Sequence, residues 1–114
     1  MKLAAILFAL AALGGVTLLT LRIRRGANPP LALAAVHGLF ALAGVIALGV
    51  AVAQTDAGGL PLASLVLFLL AAVGGATLLF GFHLRNRLLP VPIVVGHGMV
   101  AATAFVLLLV HLAR

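Results

Sequence analysis

Four long apolar stretches, separated by short polar breaks, account for nearly the whole chain. They run over roughly 3–21, 31–53, 60–82 and 91–112. Ala and Leu dominate them and no period-2 alternation appears, so each reads as a helix rather than a strand. At 1.5 Å of rise per residue, each is long enough to cross a hydrocarbon core of about 30 Å. The breaks are Arg22 to Pro30, Gln54 to Gly59 and Arg85 to Pro90. Pro30, Pro61, Pro90 and Pro92 fall where helices two, three and four begin, positions that need no amide donor. The expected fold class is an all-α membrane protein, a bundle of four transmembrane helices.

Composition agrees with that pattern. Of 114 residues, 66% are hydrophobic and 7% charged, against about 45–50% and 25% in soluble domains. Mean hydropathy is +1.42. Four spans use up this length and leave no room for a soluble catalytic or nucleotide-binding domain. There is no cysteine, which excludes thiolate metal sites and disulfide exchange. The run after Lys2 is longer than the 7–15 residues usual for a cleavable signal, so it reads as a retained helix.

Seven Lys+Arg against one acid give a formal charge of +6. Five of those cations, Arg22, Arg24, Arg25, Arg85 and Arg87, lie at the first and third breaks. Lys2, Arg114 and Asp56 lie at the other end of the spans. The positive-inside rule then puts loops one and three in the cytoplasm and both termini outside. The expected location is a bacterial inner membrane, the charge is a topology signal, and no nucleic-acid partner is expected.

Shifting the chain by 60 residues aligns residues 1–54 with 61–114 without a gap. Of 54 pairs, 18 are identical. Ten are Leu, Ala or Val matches that any membrane helix produces cheaply. The other eight are Phe8/Phe68, Gly14/Gly74, Gly15/Gly75, Thr17/Thr77, Arg25/Arg85, Pro30/Pro90, His37/His97 and Gly38/Gly98. The chain therefore reads as a tandem duplication of a helical hairpin forming a single structural domain. Both copies have the same orientation and face each other across an axis along the membrane normal.

His37 and His97 each lie seven residues after a proline, about 10 Å into the bilayer. Gly14-Gly15 and Gly74-Gly75 fall at about the same depth on helices one and three. An ionisable group inside a membrane is costly to place and marks a candidate functional site. Two imidazoles on opposite helices suit axial ligation of a porphyrin iron. The glycines, with Gly38 and Gly98, would clear space beside a flat macrocycle. Thr17 and Thr77 would accept hydrogen bonds from the second ring nitrogens. The propionates would face Arg22, Arg25 and Arg85.

Paired helices carrying His, with glycines on their neighbours, resemble the bis-histidine b-type membrane cytochromes. The resemblance implies one haem b per chain held by His37 and His97, and one-electron transfer with a quinol or another electron carrier. His97 and His111 are 14 apart, within about 40° on one helix face. That spacing is similar to the stacked two-haem pattern of the cytochrome b family. The position matching His111 in helix two is Ala51, so a second haem lacks its partner ligand within the chain. His111 and His83 are thus secondary ligand candidates, each with a simpler interfacial role.

Other readings stay open. The histidines would equally serve as hydrogen-bonding ties between helices, and the glycines as packing devices, in a structural or accessory subunit without haem. A proton, ion or small-molecule transporter is a third reading. Four spans in this length resemble the small multidrug resistance proteins, which depend on a carboxylate within the first helix, and this chain has none there. A homodimer, or membership of a larger membrane complex, is compatible with the lipid-suited surface.

Overall fold

The computed structural model describes residues 1–114, with no strand: α1 (Lys2–Arg25), α2 (Leu31–Thr55), α3 (Leu60–Gly81), a 3₁₀ turn at His83–Arg85, and α4 (Val91–Ala113). All four α-helices are long and apolar enough to span a membrane. The molecule measures 43 × 22 × 21 Å, and its long axis matches a bilayer with its headgroups, about 40–45 Å.

The first helix runs further than its apolar stretch. Arg22, Arg24 and Arg25 belong to its last turn rather than to a loop, and Gly26, at φ 60°, ends it in the left-handed conformation. Cations in a last turn sit favourably beside the unpaired carbonyls, which offsets the loss of apolar character there. Similarly, α2 continues to Thr55 and is closed by Asp56 at φ 49°. The third helix stops at Gly81, one residue short of the apolar boundary, before tightening into the 3₁₀ turn.

The helices pack as two hairpins, α1 along α2 and α3 along α4, with thinner seams between α2 and α3 and between α1 and α4. Only 14 of 114 residues are buried, so most of the apolar surface faces outward. Leu13, Val16, Leu39 and Met99 are all about two-thirds exposed. Such a surface is consistent with an integral membrane protein, in which lipid covers what water would not.

The buried cluster lies toward the end that carries the chain termini. It comprises Ala4, Phe8, Leu48, Phe68, Ala104 and Leu108. The Phe8 and Phe68 rings stack with centroids 3.5 Å apart and planes 4° from parallel. Ser64 is fully buried and donates to the Ala104 carbonyl at 2.8 Å, which satisfies its hydroxyl where no water reaches.

Gly44 makes this packing fit. A Cβ there would lie 2.8–3.0 Å from three Phe8 ring atoms, and Phe8 cannot retreat from its stack. A Cβ at Gly49, on the same helix, meets nothing within 4 Å. Gly44→Ala is therefore expected to destabilise the bundle by about 1–3 kcal/mol through overpacking. Gly49→Ala is expected to leave stability unchanged or to raise it through helix propensity. Thermal unfolding of the detergent-solubilised variants checks the pair, and equal melting temperatures would refute the steric assignment.

Candidate functional site

Above the Phe8–Phe68 stack a cavity of about 1140 Å³ lies between the hairpins, partly open to the outside. Hydrophobic residues make up 28 of the 35 that line it. Its polar groups are three imidazoles: His37 on α2, His97 on α4 and His83 of the 3₁₀ turn. The volume is in the upper range of small-molecule and cofactor sites, about 300–1,000 Å³ or slightly above.

His37 and His97 are each six residues into their helices, and both are half-buried. His37 Nδ1 donates to the Ala11 carbonyl at 2.7 Å, and His97 Nδ1 to the Ala71 carbonyl at 2.8 Å. Each bond ties a histidine to the partner helix of its own hairpin. A carbonyl can only accept, so Nδ1 carries a proton in both rings, and in the neutral form of each ring Nε2 is the nitrogen with the free lone pair. Neither Nε2 is sealed in the protein interior without a partner, and both residues line the cavity. The two ring centroids are 6.2 Å apart across the gap between hairpins, with planes at 83°.

The glycine pairs explain the bonds to Ala11 and Ala71. In an α-helix the carbonyl of residue i lies beside the side chains of i+3 and i+4. For Ala11 those positions are Gly14 and Gly15, and for Ala71 they are Gly74 and Gly75. With no side chain there, the carbonyl is open to a donor from the next helix. A Cβ on Gly15 would stand 3.1 Å from His37 Cε1, and one on Gly75 3.2 Å from His97 Cε1. On Gly14 it would be 3.3 Å from His37 Cβ, and on Gly74 3.5 Å from His97 Nδ1.

Gly14, Gly15 and Gly75 thus make room for the imidazoles, while a Cβ on Gly74 would meet His97 in ordinary van der Waals contact. Gly38 and Gly98 are different: a Cβ on either meets nothing within 4 Å, and both border the cavity.

Several expectations need correction. Thr17 and Thr77 do not support the histidines: both are exposed and donate to carbonyls of their own helices, Leu13 at 2.8 Å and Val73 at 2.9 Å. Their position on the helix points them away, and backbone carbonyls accept from the imidazoles instead. Arg22, Arg25 and Arg85 do not border the cavity. Arg22 donates from Nε to the Leu89 carbonyl at 2.9 Å, while Arg25 and Arg85 are exposed. His83, by contrast, reaches the cavity, with Nε2 donating to the Pro29 carbonyl at 2.9 Å. His111 lies in the last turn of α4, outside the cavity.

The basic end is closed by a clasp that sequence reasoning missed. Asn28 Nδ2 donates to the Arg87 carbonyl at 2.7 Å, and its Oδ1 accepts from the Leu89 amide at 2.8 Å. With the Arg22 and His83 bonds, this joins the α1–α2 loop to the α3–α4 loop. The side chains involved have no like residue 60 positions away, so a repeat comparison passes over them.

No group of three or more His, Cys, Asp or Glu side chains comes together anywhere in the chain. Comparison with known proteins returned no matching family model, no matching curated protein and no matching solved structure.

The hydrogen bonds fix an expected tautomer. Nitrogen NMR of the histidine-labelled protein without added ligand should report a proton on Nδ1 of both His37 and His97. Gly15→Ala and Gly75→Ala should each disturb the signal of the histidine they touch. Rings protonated at Nε2 alone would contradict the assigned bonds.

Proposed function

We propose that the chain spans a membrane as two tandem copies of one hairpin and works as a small b-type cytochrome, with one haem b between the copies. His37 and His97 are the residues that would hold its iron. The observation that carries this reading is the separation of the two imidazoles. A metal held in line between ring nitrogens at about 2.0–2.1 Å, each nitrogen about 1.1 Å from its centroid, puts the centroids roughly 6.3 Å apart. The pair stands at 6.2 Å. Rotation about each metal–nitrogen bond leaves the angle between ring planes free, so 83° is compatible.

The donor set also favours a macrocycle over a bare ion. Two neutral imidazoles offer two ligands, with no carboxylate or thiolate nearby to complete a protein-only site. A porphyrin brings four nitrogens of its own and needs only the axial pair. The apolar cavity walls suit its rings, and the Nδ1–H bonds to Ala11 and Ala71 hold each imidazole in the ligating tautomer. Gly38 and Gly98 keep the walls flat. When bound, haem b supplies reversible one-electron chemistry, and two axial histidines favour electron transfer over oxygen binding. The exchange partner would be a quinol or another electron carrier.

A second reading has its own observation. Each imidazole is already hydrogen-bonded within its hairpin, as a structural tie between helices would be. In that reading the chain is an accessory subunit and the 6.2 Å approach across the hairpin gap has no role.

Absorption spectra of the purified protein, oxidised and reduced, separate the two. The cytochrome reading expects a b-type reduced α-band and one haem per chain, with the six-coordinate spectrum lost in His37→Ala and in His97→Ala. Gly38→Leu and Gly98→Leu should lower haem content while helical content stays the same, because both positions border the cavity and a Cβ at either meets no protein atom within 4 Å. A colourless protein made with ample haem, or haem retained unchanged in both histidine variants, would overturn the ligand assignment.

A further inference from the structure

Five arginines gather at one end of the bundle with no anion of the chain to meet them. Arg22, Arg24 and Arg25 end α1, and Arg85 and Arg87 lie at and just after the 3₁₀ turn. The clasp between the loops keeps both groups on one end face, in a molecule only 22 × 21 Å across. The chain's one acidic side chain is at the opposite end, where Asp56 closes α2. Along α2, 25 residues long, that separation is about 36 Å, several times the Debye length of about 8 Å at physiological salt. Mutual repulsion among the five guanidiniums is therefore uncompensated within the molecule. Arg22 uses Nε on the Leu89 carbonyl, and Arg87 lies 5.4 Å from the Phe82 ring centroid. Arg24, Arg25, Arg85 and Arg87 are exposed, and none of the five borders the cavity.

We propose that this face is a binding surface for anionic phospholipid headgroups, with Arg24, Arg25, Arg85 and Arg87 as its phosphate contacts. It rests on the membrane-spanning reading and is independent of haem. The arginines stand where the apolar helices end, which is headgroup depth for a span of this length. Guanidiniums there pair bidentately with phosphate while their stems lie on apolar surface. The opposite end carries Lys2 and Arg114 against Asp56, a net of one positive side chain where the arginine face has five, so the preference belongs to one leaflet.

The test reconstitutes the full-length protein in vesicles of phosphatidylcholine mixed with phosphatidylglycerol. After gentle detergent extraction, mass spectrometry gives the ratio of the two lipids that stays with the protein. Phosphatidylglycerol should be enriched over the bulk by about fivefold for each arginine engaged. The enrichment should fall as salt rises and disappear in the Arg24→Gln/Arg25→Gln/Arg85→Gln/Arg87→Gln variant. A bulk-like ratio, or enrichment unchanged in that variant, overturns the proposal. Loss of enrichment on adding inorganic phosphate at constant ionic strength also overturns it, in favour of a small-anion site. Flotation of the same vesicles is the control for the underlying reading: protein that does not float refutes membrane insertion, and the lipid surface with it.

Discussion

Each imidazole in the apolar middle of this chain has one N–H to satisfy and no water or acid to satisfy it. The backbone carbonyls of Ala11 and Ala71 take that proton, and much of the local sequence follows from the need to reach them. A helical carbonyl already bonded within its helix still has a free lone pair, but side chains one turn on normally screen it. Gly14-Gly15 and Gly74-Gly75 remove the screen, and the close approach they allow brings α1 against α2 and α3 against α4. The imidazole is then fixed by one nitrogen, which leaves the other directed at whatever lies between the hairpins. The two rings so held stand 6.2 Å apart, centroid to centroid, across the gap between the hairpins.

The hairpins touch at two levels and part between them. Toward the termini, Phe8 of α1 stacks on Phe68 of α3, so aromatic contact holds the pair together. At the basic end, Asn28, Arg22 and His83 all bond backbone of the opposite loop. The cavity is what remains between a packed base and a hydrogen-bonded roof. Charge follows the same division, with the arginines outside the roof and no charged residue lining the cavity beyond its three imidazoles.

Much of this arrangement was legible in the residues. Apolar runs bounded by proline and glycine located four helices to within a few positions, because hydrophobic length dominates local structure at this composition. The ends were less legible: α1 keeps its helix through Arg25, since a last turn tolerates cations that a hydropathy reading assigns to a loop. The common depth of the histidines and glycines followed from rise per residue alone. What they touch did not. Azimuth around a helix decides that Thr17 faces outward while the Ala11 carbonyl faces His37, and a backbone acceptor leaves no mark in a side-chain pattern. The clasp was hidden for a related reason, since Asn28 and His83 bond main-chain atoms of the opposite loop and neither has a counterpart in the other half.

The claim at the centre of the account is that one metal centre joins His37 to His97. Electron paramagnetic resonance of the oxidised, haem-loaded protein tests it most directly, because the spectrum reports both the axial ligands and the angle between their planes. With rings at 83°, a single low-spin ferric centre should give the strongly anisotropic signal of near-perpendicular imidazoles, and His37→Ala and His97→Ala should each abolish it. A high-spin signal in the unaltered protein, or a low-spin signal that survives both substitutions, would contradict the account.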